Sequence, residues 1–262
     1  MNKALSVKEA FQDGKALVAY LMAGDPGVEK SGEYILRAQQ AGADLIEIGL
    51  PFSDPIAEGE VIQGASVRAL CAGATLEQIF GMVEKIRPQI HVPLAFMTYL
   101  NPVFVYGYDR FFSRCNNCGV GALIIPDLPF EEQHEVKAAA RPYGIDIVSL
   151  IAPTSRQRIQ MIAREAEGFV YLVSSMGVTG MRSEIATDIA ALIREIRAAT
   201  DIPVAVGFGI STPEQAAKYA ALSDGAIVGS AIVKLIAEYG DHAGDAIADF
   251  ISSLKEAVLK SS

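Results

Sequence analysis

The chain has 262 residues, 51% of them hydrophobic, and a formal net charge of -9. That acidity argues against a nucleic-acid or anionic-membrane surface, and the length suits one α/β barrel with a sizeable core better than two small domains. The odd cysteine count of three makes no disulfide framework and points to a reducing, cytoplasmic setting. Cys115-x-x-Cys118 has no second pair, and His91, His134 and His242 are too scattered to complete a zinc site.

Along the chain, the apolar run Ala16 to Ala23 follows Glu9, Asp13 and Lys15, so it reads as a first strand and not as the apolar region of a signal peptide. No stretch reaches the length of a membrane span. Further apolar, β-branched runs follow at Asp44–Gly49, Val92–Thr98, Gly121–Pro126, Ile145–Ile151, Gly168–Ser174, Pro203–Gly207 and Gly225–Gly229. Between them, Glu29–Ala41, Leu76–Arg87, Glu131–Arg141, Arg156–Glu165, Thr187–Thr200 and Pro213–Ala221 carry charges at helical spacing. Strand and helix alternating through eight strands predicts a closed parallel (β/α)8 TIM barrel, a single domain over residues 1–262. The alternative, a doubly wound open sheet, lacks its G-x-G-x-x-G fingerprint at Ala23-Gly24-Asp25-Pro26-Gly27.

Barrels of this kind keep their chemistry at the carboxyl ends of the strands. Glu47 stands out there, a carboxylate within an apolar strand. Leu45, Glu47 and Gly49 share one face of the extended segment, and Ile46 and Ile48 share the other. Unless an Arg or backbone donors satisfy it, desolvation raises its pKa and readies it for proton transfer near neutral pH. Asp25, Asp127 and the loop Pro51–Glu60 fall at the same end, and glycines concentrate on the last three loops. Gly207, Gly209 and Gly229, with Ser230 at a helix start, suggest backbone donors and a helix dipole holding a phosphate.

Together these residues are recognisable. Gly24-Asp25-Pro26-Gly27, Leu45–Gln63 with its Pro-Phe-Ser-Asp-Pro core, Asn101-Pro102-Val103-Phe104, Ile125-Pro126-Asp127-Leu128-Pro129, Gly177-Val178-Thr179-Gly180, Gly207-Phe208-Gly209-Ile210-Ser211 and Gly229-Ser230-Ala231-Ile232-Val233-Lys234 resemble, in order and spacing, the alpha subunit of tryptophan synthase. The resemblance covers nearly the whole chain. It implies retro-aldol cleavage of indole-3-glycerol phosphate to indole and glyceraldehyde 3-phosphate without a cofactor of its own, and a tryptophan synthase beta subunit as partner in an alpha2beta2 tetramer.

By that resemblance Glu47 is the general acid/base, Glu58 holds the indole N–H and offsets the ring's developing positive charge, and Tyr171 neighbours Glu47. Tyr20, Met97, Tyr99, Ile124, Ile151 and Phe208 match positions around the indole, while Thr179, Gly180, Gly209, Gly229 and Ser230 belong to the rest of the substrate site. Pro51, Phe52, Asp54 and Asn101 fall where the partner contact is expected, Phe52 as an exposed aromatic. The chain departs from the family where Ala57-Glu58-Gly59-Glu60 replaces the usual Ala-Asp-Gly-Pro, and Ser175 and Met176 stand where some members carry Arg and Ser. The altered loop leaves open a second reading, a regulatory subunit that has lost cleavage but still activates a beta subunit, and a third is a free-standing indole-releasing lyase.

Overall fold

A computed structural model describes residues 4–173, 188–207 and 209–261. Eight strands, β1 (Ala16–Met22), β2 (Leu45–Gly49), β3 (Leu94–Met97), β4 (Ala122–Ile124), β5 (Asp146–Ile151), β6 (Glu167–Val173), β7 (Val204–Gly207) and β8 (Gly225–Val228), close in chain order into one parallel barrel. Each predicted strand is there, trimmed by a residue or two at an end or begun one residue earlier. All residues of β1 and β2 are buried, because in such a barrel helices cover one face and packed side chains fill the other.

The outer layer holds α1 (Val28–Gln40), α2 (Glu60–Cys71), α3 (Leu76–Ile86), α4 (Leu100–Tyr106), α5 (Tyr108–Cys118), α6 (Gln133–Ala140), α7 (Arg156–Arg164), α8 (Ile189–Arg197), α9 (Pro213–Leu222), α10 (Ser230–Tyr239) and α11 (Gly244–Leu259). The sequence pattern locates α1, α3, α6, α7, α8 and α9 and anticipates the start of α10. It does not reveal α2, α4 or α11, and of α5 it marks only the end, where Arg114, Asn116 and Asn117 read as a helix end near a turn. Cys115 and Cys118 lie buried on α5, and all three cysteines are free. Burial pushes the Cys115 thiol well up and that of Cys118 to about 12, which leaves both as small apolar fillers. No described helix is long and apolar enough to cross a membrane.

Alternation inside the barrel separates its two ends. Val18, Leu45, Ala95, Ala122, Val148, Phe169 and Ala205 form the lower interior, while Met97, Leu150, Tyr171, Val173 and Ile227 rise toward the mouth. The lower opening is stoppered by a 3-10 helix, Val7–Phe11, started by a capping box in which the Ser6 N–H donates to Glu9 Oε1 at 3.0 Å. Val7 is fully buried against that interior, and the Phe11 ring lies 5.5 Å from Phe169. Two glycines admit the stopper: a Cβ on Gly121 would stand 2.4 Å from the Leu5 carbonyl oxygen, and one on Gly168 2.7 Å from Val7 Cγ2.

The stopper is thus a packing device remote from the mouth. Val7→Ala should lower stability by roughly 2 kcal/mol through lost apolar burial and the cavity left behind. Thermal unfolding should register this as a fall of several degrees with the kcat of the mouth unchanged; an unaltered melting temperature would show that the segment closes nothing.

Candidate functional site

The barrel mouth opens on a cavity of about 630 Å3. Its floor and walls include Glu47, Tyr20, Tyr171, Met97, Leu150 and Ile227, with Glu58 on one side and Gly209, Gly229 and Ser230 on another. Glu47 is 1% exposed, and neither carboxylate oxygen has a hydrogen-bond partner among the described residues. The barrel wall forces this: the neighbouring inward positions are Leu45 below it and Tyr20 beside it in register on β1. Desolvation, reinforced by the charge of Glu58, pushes Glu47 up to about 8. The same burial, with both carboxylates nearby, raises Tyr20 and Tyr171 well above the usual phenol range.

Glu58 sits on the loop between β2 and α2 and is pushed up to about 7, mainly by burial and also by the charge of Asp127, against a lowering backbone hydrogen bond. The loop is fastened from several directions. The Tyr99 hydroxyl accepts the Ala57 N–H at 2.8 Å and donates to Glu58 Oε2. Gln63 Nε2 donates to the Glu58 carbonyl at 2.9 Å and to that of Pro55 at 3.4 Å. Ser66 Oγ accepts the Phe52 N–H and donates to the Phe52 carbonyl, both at 2.8 Å. Below, the fully buried Asp25 holds Arg68 of α2 through two bonds of 2.9 and 2.7 Å, and Asp127 accepts the Leu100 N–H at 2.9 Å. These bonds fix α2 and the loop relative to the barrel, and hence the second carboxylate relative to the first.

On the other side of β1, α10 begins at Ser230 after Gly229, with no side chain of the described residues capping its first N–H groups. Gly209 adopts φ +78°, a conformation suited to glycine. Free helical N–H groups beside the cavity form an anion-binding end. Among the described residues, no group of three or more His, Cys, Asp or Glu could hold a metal ion.

Several expected positions fall elsewhere. Ile151 points outward into the helix layer with Ile159 and Ile193, and its neighbour Leu150 faces the cavity. Ile124 packs in the barrel interior and is not among the residues lining the cavity. Tyr99 also stands outside that lining and reaches the site through Ala57 and Glu58. Phe52 is half-buried rather than exposed, its ring 5.3 Å from Tyr99. The exposed apolar residues of this rim are Ile56, Phe104 and Val105, at 75%, 65% and 74%. Pro51 is half-buried, and Asp54 and Asn101 are exposed. Thr179, Gly180 and Phe208 lie outside the described residues. The sequence reading also missed Phe130, Gln133, Thr154 and Arg158, which line the same cavity.

The family model for the tryptophan synthase alpha chain matches residues 7–260. Curated relatives include the tryptophan synthase alpha chain of Lacticaseibacillus casei, 46% identical over 250 residues that span 95% of this chain and 94% of the relative. That of Geobacter sp. (strain M21) is 47% identical over 263 residues, 100% of this chain and 98% of its own. Among solved structures, a chain of Mycobacterium tuberculosis tryptophan synthase superposes with a TM-score of 0.88 at 34% identity, covering 98% of this chain and 99% of that one. A chain from the tryptophan synthase α2β2 complex of Pyrococcus furiosus does so with a TM-score of 0.85 at 37% identity, covering 92% and 98%. A mouth built on a buried acid, a second tethered carboxylate and an open helix N-terminus is carried here by a barrel alike in sequence and in backbone to these proteins over almost its full length, and the chain belongs to the tryptophan synthase alpha chain family.

Proposed function

We propose that this chain cleaves indole-3-glycerol phosphate to indole and glyceraldehyde 3-phosphate, as the alpha subunit of a tryptophan synthase. The observation that carries the reading is Glu47, a buried carboxyl without a partner among the described residues, pushed to about 8 and therefore protonated at neutral pH. Such a group delivers a proton to the indole carbon bearing the side chain and, once ionised, accepts the proton of the adjacent hydroxyl. As that hydroxyl becomes a carbonyl, the carbon–carbon bond breaks and its electrons return to the ring, cancelling the positive charge. Glu58 faces the same cavity, and its carboxyl, pushed to about 7, ionises as positive charge develops on the ring and supplies the negative charge that the cation requires. The phosphate sits at Gly209, Gly229 and the start of α10, where N–H groups are uncapped.

A beta subunit is the proposed partner, in an α2β2 assembly like the one to which the Pyrococcus furiosus relative belongs. Pro51, Phe52, Asp54 and Asn101 stand around the mouth with Ile56, Phe104 and Val105, an apolar rim suited to a protein surface. The free cysteines fit a cytoplasmic setting. Turnover of indole-3-glycerol phosphate, measured with and without an added beta subunit, should be slow alone and faster in the complex. No turnover in either condition would leave only a regulatory role, and equally fast turnover without the partner would indicate a free-standing lyase.

Glu47→Gln should abolish cleavage, a loss on the order of a hundredfold to ten-thousandfold, because the amide keeps the shape and transfers no proton. Its stability carries a sign. Between the ordinary value of 4.5 and the folded value of about 8, the folded chain keeps a proton that the unfolded chain has released, so wild-type stability falls as pH rises through that window. The Glu47→Gln variant lacks this loss and should melt higher than wild type by a margin that widens from pH 5 to pH 8. A constant or reversed margin in thermal scans would contradict the burial argument.

Glu58→Ala should reduce kcat/KM on the order of a hundredfold, and Glu58→Asp, which restores the family's usual residue, should change it only modestly. An active wild type with an equally active Glu58→Ala variant would remove Glu58 from the mechanism.

A further inference from the structure

The chemistry above gives the Tyr20 hydroxyl no role. Tyr20 is 5% exposed, lines the cavity and has no hydrogen bond to its hydroxyl among the described residues. A phenol hydroxyl that opens on a ligand cavity without a protein partner is commonly completed by the ligand, which takes the place of the water it would otherwise bond.

Its placement says which part of the ligand. Around the closed barrel the order is β8, β1, β2, so the strand of Tyr20 lies between the one leading to Gly229 and Ser230 and the one carrying Glu47. The side chain follows the same course. At its root, a Cβ placed on Gly229 would meet Tyr20 Cβ at 3.3 Å, so the tyrosine rests against the phosphate end. At its tip, a Cβ on Gly49 would fall 2.1 Å from Tyr20 Oη, so the hydroxyl fills the space above Gly49. Gly49 shares the inward face of β2 with Glu47, one pleat nearer the mouth. Glu58 and Tyr99, which mark the indole end, lie beyond β2 on the far side. Tyr20 therefore runs alongside the stretch between phosphate and acid, which in the proposed substrate is the three-carbon chain with its hydroxyls.

We propose that the Tyr20 hydroxyl hydrogen-bonds to a hydroxyl of the substrate's glyceryl chain, rather than serving as part of the indole wall. This assignment rests on the proposed substrate. Gly49 is then required beside the acid because any larger residue would occupy the hydroxyl's position.

The test compares two ligands that differ only in the chain hydroxyls: indole-3-glycerol phosphate and the analogue with a plain propyl chain between indole and phosphate. Calorimetric binding is measured on the full-length chain carrying Glu47→Gln, so that no turnover intervenes, with and without Tyr20→Phe. Loss of the hydroxyl should weaken the glyceryl ligand roughly tenfold, from one unsatisfied hydrogen bond, and leave the propyl analogue within about twofold. In the chain with Glu47 intact, Tyr20→Phe should lower kcat/KM for cleavage by at least the same factor. Equal weakening of both ligands would make Tyr20 a wall of the ring pocket, and no weakening of either would leave its hydroxyl without a ligand; both results overturn the proposal. Absence of cleavage by the unmutated chain would count against the lyase reading alone, since the binding comparison does not depend on turnover.

Discussion

Everything at the mouth of this barrel depends on keeping the Glu47 carboxyl out of water without giving it a partner among the described residues. An ionised carboxylate in such a place is expensive, and a nearby cation or set of donors would return it to an ordinary acid. The surrounding residues avoid both outcomes. Tyr20 stands beside it in register, and Gly49, the next inward residue of its own strand, leaves room for the Tyr20 hydroxyl. Across the barrel Gly207 does the same for Tyr171, whose ring atoms would meet a Cβ there at 2.6 Å. Two glycines thus let two tyrosines lie against the strand ends beside the cavity that Glu47 lines.

The second carboxylate is managed differently. Glu58 belongs to a loop, and loops place side chains less accurately than strands do. Tyr99, Gln63 and Ser66 compensate by bonding the loop at Ala57, Glu58, Pro55 and Phe52, and Asp25 with Arg68 secures the helix behind it. The longer side chain at position 58 ends on the Tyr99 hydroxyl, so the added methylene is absorbed within a defined contact. The two acids are held by separate means, one by the wall and one by tethers. The proton donor and the charge stabiliser are therefore distinguished by environment more than by residue type.

Much of this was legible in the sequence because a closed parallel barrel repeats a simple alternation. The strands are short apolar runs, and all were found. The missed helices have physical reasons: α2 follows a glycine with no side-chain cap, α4 and α5 meet at Gly107 within an aromatic stretch, and α11 follows the last strand pair, where the repeat no longer guides the reading. Facing direction was harder. Ile147 to Ile151 is apolar on both faces apart from Ser149, so nothing in it marks Leu150 as inward and Ile151 as outward. Phe52 between two prolines looks exposed until Tyr99 is seen against it. The Tyr99 tether and the Asp25–Arg68 pair join residues 41 and 43 positions apart, beyond the reach of local pattern.

The central claim is that the Glu47 carboxyl remains protonated in the resting chain at neutral pH, and its titration can be observed directly. Infrared difference spectra of the wild type against the Glu47→Gln variant, collected from pH 4 to pH 10, isolate the carbonyl band of that one protonated acid. The account predicts a band that persists through pH 7 and disappears with a midpoint near 8. A midpoint near the ordinary 4.5 would mean that the acid is solvated or paired, and would contradict the account at its base.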